Sequence, residues 1–559
     1  MTKPRRLIVD TIPPDFSPET HVALGPWCFF RAENIYPEWD SLEFVDPFAE
    51  AGARREAGKV TRALAHTLLD RLWPEMNRRH GVNYSRAFWR VVLIDWLLHL
   101  TMTCWRIWGH VGAFIGRAGA EPLDVSLVVA TAPFRFATTQ QFVVETRDPS
   151  DFRAWLINEI VRRLAPAHWR VANDRKITPQ PITLPPLRLH RRRSVENIAT
   201  LAMRGWRFAH VWERATALYV NLLPRRKARP VPPPFRAPTD FPEAFLKLVD
   251  ELVDSTEPEC LGSGFKSLDA DAATQQYRSG RLHVVYMNPH NDQESVRRAH
   301  AVEAGERVVP VQHGGVYGWG SPDTQHVENE YGYEAFATWG WTEYEDETSR
   351  FVPLPSATLG SGLGLPRRPS ENWVFVSSLM LPLYTRFDLT PTHVEYRRWK
   401  ERFFSVLPST VTAKLLYRPY LSPYSFADVE WLRQFIPNLK TVEGRLHDAM
   451  MASRLTVIDH PFTTFPISMA CGIPTIGYWQ KDAWPLSRQA APLFAELEDA
   501  GILFSNPEQA AVQVQSVLNR AEEWWREPRV ERARKRWCEK FALADRFWWF
   551  RWWQILATV

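Results

Sequence analysis

The stretch RVVPVQHGGVYGWGSPDTQHVENEYGYEAFATWGW, Arg307 to Trp341, decides how this chain is read. It opens on a β-branched run that stops at Gln312, His313, Gly314 and Gly315, and a second apolar run, Ala335 to Trp339, follows after a polar loop. A buried strand delivers polar side chains to its own C-terminal end, and adjacent glycines let another group approach the backbone closely. The segment therefore predicts a ligand cradle between two short strands. The alternative is a plain loop whose histidine satisfies local hydrogen bonds.

Upstream, Leu282 to Met287 reads as a strand, Asp292 can cap a helix running to about Ala304, and Val308 to Val311 is the next strand. This βαβ unit ends at the Gln-His-Gly-Gly loop. Downstream, a second series runs through WVFVSS from Trp373, a helix from about His393 to Val406, AKLLY from Ala413, LTVID from Leu455 and PTIGYW from Pro474. Strands alternating with helices of this length imply parallel sheets, hence two facing Rossmann-like halves. In the second, LTVID runs into Asp459, His460 and Pro461, and Thr463 and Thr464 open a helix whose free N–H groups and dipole suit a phosphate. Gly472 ends that helix and Pro474 starts the next strand. The run Gly360-Ser361-Gly362-Leu363-Gly364 lacks strand-to-helix context and is not read as a dinucleotide fingerprint.

The N-terminal portion reads as mainly helical after an initial strand. Helical patterns cover Ala53 to Arg79, where Val60, Leu64, Leu68 and Leu72 recur every fourth residue, and Tyr84 to Gly116. The expected organisation is a helix-rich part over 1–177, a basic Pro/Arg-rich insertion with a helix over 178–240, a Rossmann-like half over 241–365, a second over 366–520, and a Trp-rich terminal helix over 521–559.

Composition narrows the class. The chain has 559 residues, 45% hydrophobic and 23% charged, as expected of a globular protein of two or more domains. Its 26 Trp are spread along the chain and suit core filling, or, for a few, sugar stacking. Cys28, Cys104, Cys260, Cys471 and Cys538 are scattered and form no CxxC pair, which argues against a disulfide framework or a structural zinc site; no cofactor and no metal cluster are expected. The start, MTKPRRLIVDTIPPDF, does not read as a signal peptide. Val91 to Ile107 is interrupted by Asp95, His99 and Arg106 and falls short of a membrane span. A cytoplasmic protein is expected, with peripheral contact at the inner face of the membrane as an option.

Charge is uneven. From Arg188 to Arg236 twelve basic residues, among them Arg191, Arg192, Arg204 and Arg207, face only Glu196 and Glu213, and Trp206, Phe208, Trp212 and Tyr219 interleave with them. The block suits an anionic membrane surface or a phosphate-bearing acceptor, the plain alternative being a solvated helix; with no recognised motif beside it, nucleic acid is not expected. In the tail, the pairs Trp548/Trp552 and Trp549/Trp553 fit a terminal helix that packs back across the protein, with membrane contact as the alternative.

Several short motifs occur in a shared order: HVALGPWC from His21, Phe88-Trp89-Arg90, Gln312-His313-Gly314-Gly315 with Tyr317-Gly318, Thr338-Trp339-Gly340-Trp341, and Thr463-Thr464-Phe465 through Ile473-Pro474-Thr475-Ile476. In these the chain resembles a family of bacterial transferases of surface-carbohydrate and lipopolysaccharide biosynthesis, over nearly its whole length. The resemblance implies a GT-B type glycosyltransferase with a cleft between two Rossmann-like domains and, more distantly, likeness to transferases of CMP-activated acidic sugars such as Kdo. The implied reaction moves a sugar from a nucleotide-sugar donor to a lipid-linked or oligosaccharide acceptor of a cell-surface polysaccharide or lipopolysaccharide. Gln312, Gly314, Gly315, Asp459, Thr463 and Thr464 would bind the donor, with Arg418 as a positive partner for its phosphate. His313 would activate the acceptor or contact phosphate, with Glu328 and Glu330 as further candidate bases. The chain departs from the family pattern at Pro466, Ile467 and Ser468, where an acidic residue is usual, and at Glu334, where an Asp is usual. The missing acidic residue leaves a second reading, a non-catalytic sugar-nucleotide-binding or scaffold subunit of polysaccharide assembly, and the related two-domain fold of sugar-nucleotide epimerases leaves a third.

Overall fold

The computed structural model describes residues 4–188, 193–198, 209–321, 324–387, 393–423, 425–426 and 428–559. Arg191, Arg192, Arg204, Trp206, Arg207 and Phe208 of the basic block lie outside the described residues.

Every pairing between the described strands is parallel. The N-terminal sheet holds β1 (Arg5–Ile8), β2 (His21–Ala23), β3 (Leu123–Ala130) and β4 (Arg170–Ile177), in the order β2-β1-β3-β4. The helices of this part thus pack on a parallel sheet of which only the initial strand was expected. β2 is only three residues long, and the edge strand β4, RVANDRKI, is almost wholly exposed and shows no apolar alternation to read. The expected helices do form. Ala51–His80 ends at Gly81 with φ 69°, where the left-handed backbone favours glycine. Arg86–Ala118 starts at Ser85, whose Oγ accepts from the Phe88 N–H at 3.2 Å. The second helix is long and apolar enough to cross a membrane, but 94% of its most apolar window is buried inside the protein, so it serves as the core helix.

The middle sheet has β5 (Val195–Glu196), β6 (Leu282–Val285) and β7 (Arg307–Pro310) in the order β5-β6-β7. Val311 bridges to Ala337 in β8 (Phe336–Thr338), which pairs with β9 (Phe351–Pro353), so the parallel array continues past β7. The helix Asp292–Glu303 lies between β6 and β7, but its cap is Asn291, which accepts from the Glu294 N–H at 3.2 Å. Asp292, the expected cap, is buried and accepts from the Thr139 N–H at 2.9 Å.

The C-terminal sheet consists of β10 (Trp373–Val376), β11 (Leu415–Arg418), β12 (Lys440–Thr441), β13 (Leu455–Ile458), β14 (Thr475–Tyr478) and β15 (Leu503–Phe504), ordered β12-β11-β10-β13-β14-β15. Three strands add in one direction and the chain then returns past β10, the doubly wound order whose switch point lies between β10 and β13.

The tail packs back, as the tryptophan spacing suggests. Trp537, on the helix Pro528–Phe541, is fully buried and touches Trp319 of the middle portion and Phe465 of the C-terminal portion at ring distances of 5.3 and 5.2 Å. Truncating such an indole costs about 3–5 kcal/mol. In the last helix, Trp548–Leu556, Trp552 donates from Nε1 to the Pro355 carbonyl at 2.7 Å. Trp212 and Tyr219 of the basic block donate to the Trp549 and Trp553 carbonyls, both at 3.0 Å, so these two aromatics pack inward.

Candidate active site at the strand ends

The loop after β7 is held by Gln312, which is fully buried. Its Oε1 accepts from the Trp339 N–H at 2.8 Å and from Trp341 Nε1 at 2.9 Å, and its Nε2 donates to the Gly314 carbonyl at 2.9 Å. The amide is thereby used within the protein, and Gln312 shapes the loop instead of offering an amide to a ligand. The glycines answer to a close approach by the other half of the chain. A Cβ on Gly315 would lie 2.7 Å from Phe462 C and Thr463 N, and one on Gly314 would lie 3.1 Å from Thr463 Oγ1. The Gly315 N–H donates to Thr463 Oγ1 at 2.9 Å. Two motifs 148 residues apart in sequence thus meet.

His313 stands beside this contact. Tyr317 donates its hydroxyl proton to Glu330 Oε1 at 3.0 Å, and the same hydroxyl lies 3.0 Å from His313 Nδ1. The imidazole side chain is 26% exposed, whereas Glu330 is 2% exposed, so a half-open histidine is backed by a buried phenol and a buried carboxylate. Tyr286, just past β6, packs edge-on against His313 at 4.7 Å, and His326 packs on Tyr317 at 4.0 Å. A histidine held this way can exchange a proton or donate to a phosphate without moving.

The two glutamates differ. Both come from the π-helical turn Val327–Tyr331, a geometry that recurs at functional sites. Glu328 turns away from His313 and pairs with Arg62, with Arg90 Nη2 at 3.0 Å and with His66 Nε2 at 3.0 Å. Burial alone would raise its carboxyl pKa, but the two arginines and His66 hold it well below the usual carboxylate range. An anion so stabilised is a weak base, and Glu328 is a structural hub.

At the C-terminal sheet, Asp459 is buried between His460 Nδ1 at 3.0 Å and Lys400 Nζ at 3.7 Å. Lys400 is fully buried at the switch point and bonds Asp428 at 2.7 Å, the Tyr417 hydroxyl at 2.9 Å and Ser377 Oγ at 2.5 Å. Arg418 is held by the Val442 and Gly444 carbonyls at 2.8 and 2.9 Å, pointing toward the β12 side. Thr463 accepts from Gly315, and Thr464 opens the helix Thr464–Ala470. Of the residues singled out in the sequence, the structure gathers Gln312, His313, Gly314, Gly315, Glu330, Thr463 and Thr464, and directs Glu328, Arg418 and Asp459 into separate networks.

Sequence reasoning missed a second cluster. Asp95, His99 and His290 bring carboxylate and imidazole atoms within 4.8 Å of one another, although no metal cluster was expected. The three polar interruptions of the apolar run Val91 to Ile107 were the available signal. Asp95, His99, Arg106 and His110 share one stripe of the core helix, and Arg106 and His110, with Trp27, Asp46, Tyr384 and Arg398, line a solvent-open groove of about 380 Å³.

Parallel strands whose C-terminal ends present titratable groups beside a contact between two sheets define an α/β enzyme. Residues 5–556 match the LIC12162 family of transferases, and the chain belongs to that family and is a transferase. No curated protein matches it. Among solved structures, a Thermobaculum terrenum O-GlcNAc transferase mutant is similar at 12% identity over 94% of this chain and 92% of its own, with a TM-score of 0.28, too loose a superposition to carry fold or function across.

Proposed function

We propose that the group transferred is a glycosyl group, taken from a nucleotide-sugar donor and passed to a hydroxyl of a cell-surface polysaccharide or lipopolysaccharide acceptor, with the two Rossmann-like halves in a GT-B arrangement. The donor favoured is a CMP-activated acidic sugar such as Kdo. The observation that carries the reading is the Gly315–Thr463 contact, which sets the loop of His313 against the helix start at Thr464. Such a junction can hold a leaving phosphate between backbone N–H groups and an imidazole, and water is excluded where the halves close. His313 takes the phosphate side, and Tyr317 and Glu330 fix its orientation. The epimerase reading needs no acceptor, so donor consumption in the absence of any acceptor would favour it.

Peripheral membrane contact at the cytoplasmic face belongs to the same reading. Leu218 and Leu222 on the helix Ala209–Leu222 are 69% and 85% exposed, near Arg214 and Arg225, which suits an anionic lipid surface.

The test is a thermal-shift panel of CMP, UDP, GDP and dTDP on wild type and on a Thr463→Ala/Thr464→Ala double variant. A nucleotide at about 100 times its Kd adds roughly 2.7 kcal/mol. CMP alone should stabilise the wild type, and the variant should lose the shift. A flat panel would favour the non-catalytic scaffold reading, to which the Lys400-filled switch point and the absent carboxylate after Thr464 already lend weight.

A further inference from the structure

The core helix Arg86–Ala118 carries a polar stripe that faces other parts of the chain, and Asp95 lies on it, buried. Asp95 Oδ2 is 2.6 Å from His290 Nδ1, and Asp95 Oδ1 accepts from Asn329 Nδ2 at 2.8 Å. His290 follows β6, the strand beside β7, so it stands at the same end of the middle sheet as His313. An ionised carboxylate can only accept, so the shared proton sits on His290 Nδ1 and leaves Nε2 as the basic nitrogen. The His290 side chain is 29% exposed while that of Asp95 is 4% exposed. Residues 324–331, a short helix that runs into the π-helical turn, join the two clusters: Gln325 and Asn329 reach Asp95, while His326 and Glu330 reach Tyr317.

Resting on the glycosyl-transfer reading above, we propose that His290, oriented by Asp95, takes the proton from the acceptor hydroxyl during transfer. As the hydroxyl oxygen bonds to the anomeric carbon of the donor, its proton passes to His290 Nε2. The bond between that carbon and the donor phosphate oxygen breaks, and its electron pair leaves with the phosphate. His290 is the catalytic base and Asp95 a positioning residue.

The charged and titratable groups around the pair favour this role over cation binding. Asp95 and His99 face His290 from the core helix, and Arg147 and Arg386 add positive charge from two other segments. Burial opposes the His290 imidazolium, but Asp95 raises its pKa above the ordinary value, while burial pushes His99 down to about 3. A divalent ion would add charge beside two arginines and displace the proton that links Asp95 to His290.

The experiment compares wild type with His290→Gln, Asp95→Asn and His99→Ala. Histidine labelled at Cε1 is titrated by NMR, metal content is measured, and donor consumption with envelope glycolipid acceptor is followed across pH. The expected result is one histidine titrating above 6.5 that vanishes in His290→Gln and falls in Asp95→Asn. Transfer should drop roughly 10²–10⁴-fold in His290→Gln, with the acidic limb of the pH–rate profile lost and nucleotide binding retained. Unchanged transfer and pH profile in His290→Gln would overturn the proposal. So would an equivalent of zinc held by wild type and lost in His99→Ala, because ligation would occupy these same groups. Loss of nucleotide binding in wild type itself would instead sink the glycosyl-transfer reading, and the role of His290 with it.

Discussion

The C-terminal sheet and the middle sheet end in the same kind of place and treat it in opposite ways. At the switch point between β10 and β13, the position where a doubly wound sheet offers its crevice, the chain has put its own cation: Lys400, fully buried among Asp428, Asp459, Tyr417 and Ser377. At the ends of β6 and β7 the histidines remain partly open, His290 at 29% and His313 at 26% side-chain exposure, each backed by a buried carboxylate. Topology thus marks where a site can be built, and the charges decide whether it is closed for stability or left available for chemistry.

The most direct way to break this comparison is Lys400→Met. It leaves Asp428 and Asp459 without their buried cation, and removing one partner of such a network costs about 3–5 kcal/mol. Urea unfolding should show this loss; a loss under 1 kcal/mol would mean the switch point is not a structural network.

The pH dependence of stability comes next. Burial lowers His99 to about 3 and His110 to about 4 from an ordinary 6.5, so the folded chain refuses protons that the unfolded chain binds. Their contribution is complete above pH 6.5 and is lost as pH falls toward those folded values. His290, raised by Asp95, has the opposite sign: its contribution is complete below 6.5 and is lost as pH rises through its folded value. Chemical denaturation between pH 6.5 and 4 should therefore lose roughly 5 kcal/mol from the two histidines together, at about 1.4 kcal/mol per pH unit each, and a flat profile would contradict the neutral buried histidines.

Gly315→Ala tests the junction between the two loops. Its Cβ would meet backbone atoms of Phe462 and Thr463 at 2.7 Å, so the loops must shift, at about 1–3 kcal/mol. Faster limited proteolysis near residue 315 would report it. The smallest stability effect belongs to His313→Asn, under about 1 kcal/mol because the ring is partly exposed, while phosphate-side chemistry should fall roughly 10²-fold or more. If stability fell by several kcal/mol and donor turnover did not, the middle sheet end would be structural as well.

Much of this layout was legible in advance wherever a local pattern reports a local structure. The strand–helix alternation from Leu282 onward read correctly, because buried parallel strands are short apolar runs bounded by turns. The tail read as packing because Trp548/Trp552 and Trp549/Trp553 share helix faces. β4 was not legible, since an exposed edge strand carries no apolar period. The meeting of Gly315 with Thr463 was anticipated only as two motifs facing one cleft; that the glycines admit Thr463 itself depends on side chains far apart in sequence.

The sequence by itself determined the α/β class, the core helices, and the stop of β7 at a Gln-His-Gly-Gly loop, because apolar periodicity, caps and glycines act over a few residues. Only the tertiary structure decided that Glu328 joins Arg62 and Arg90, that Glu330 stands behind Tyr317 and His313, that Lys400 fills the switch point, and that Asp95 faces His290. Those assignments rest on burial and on charges brought within a few ångströms by groups 13 to 266 residues apart, where desolvation turns a polar side chain in an apolar run into either a structural ion pair or a reactive group.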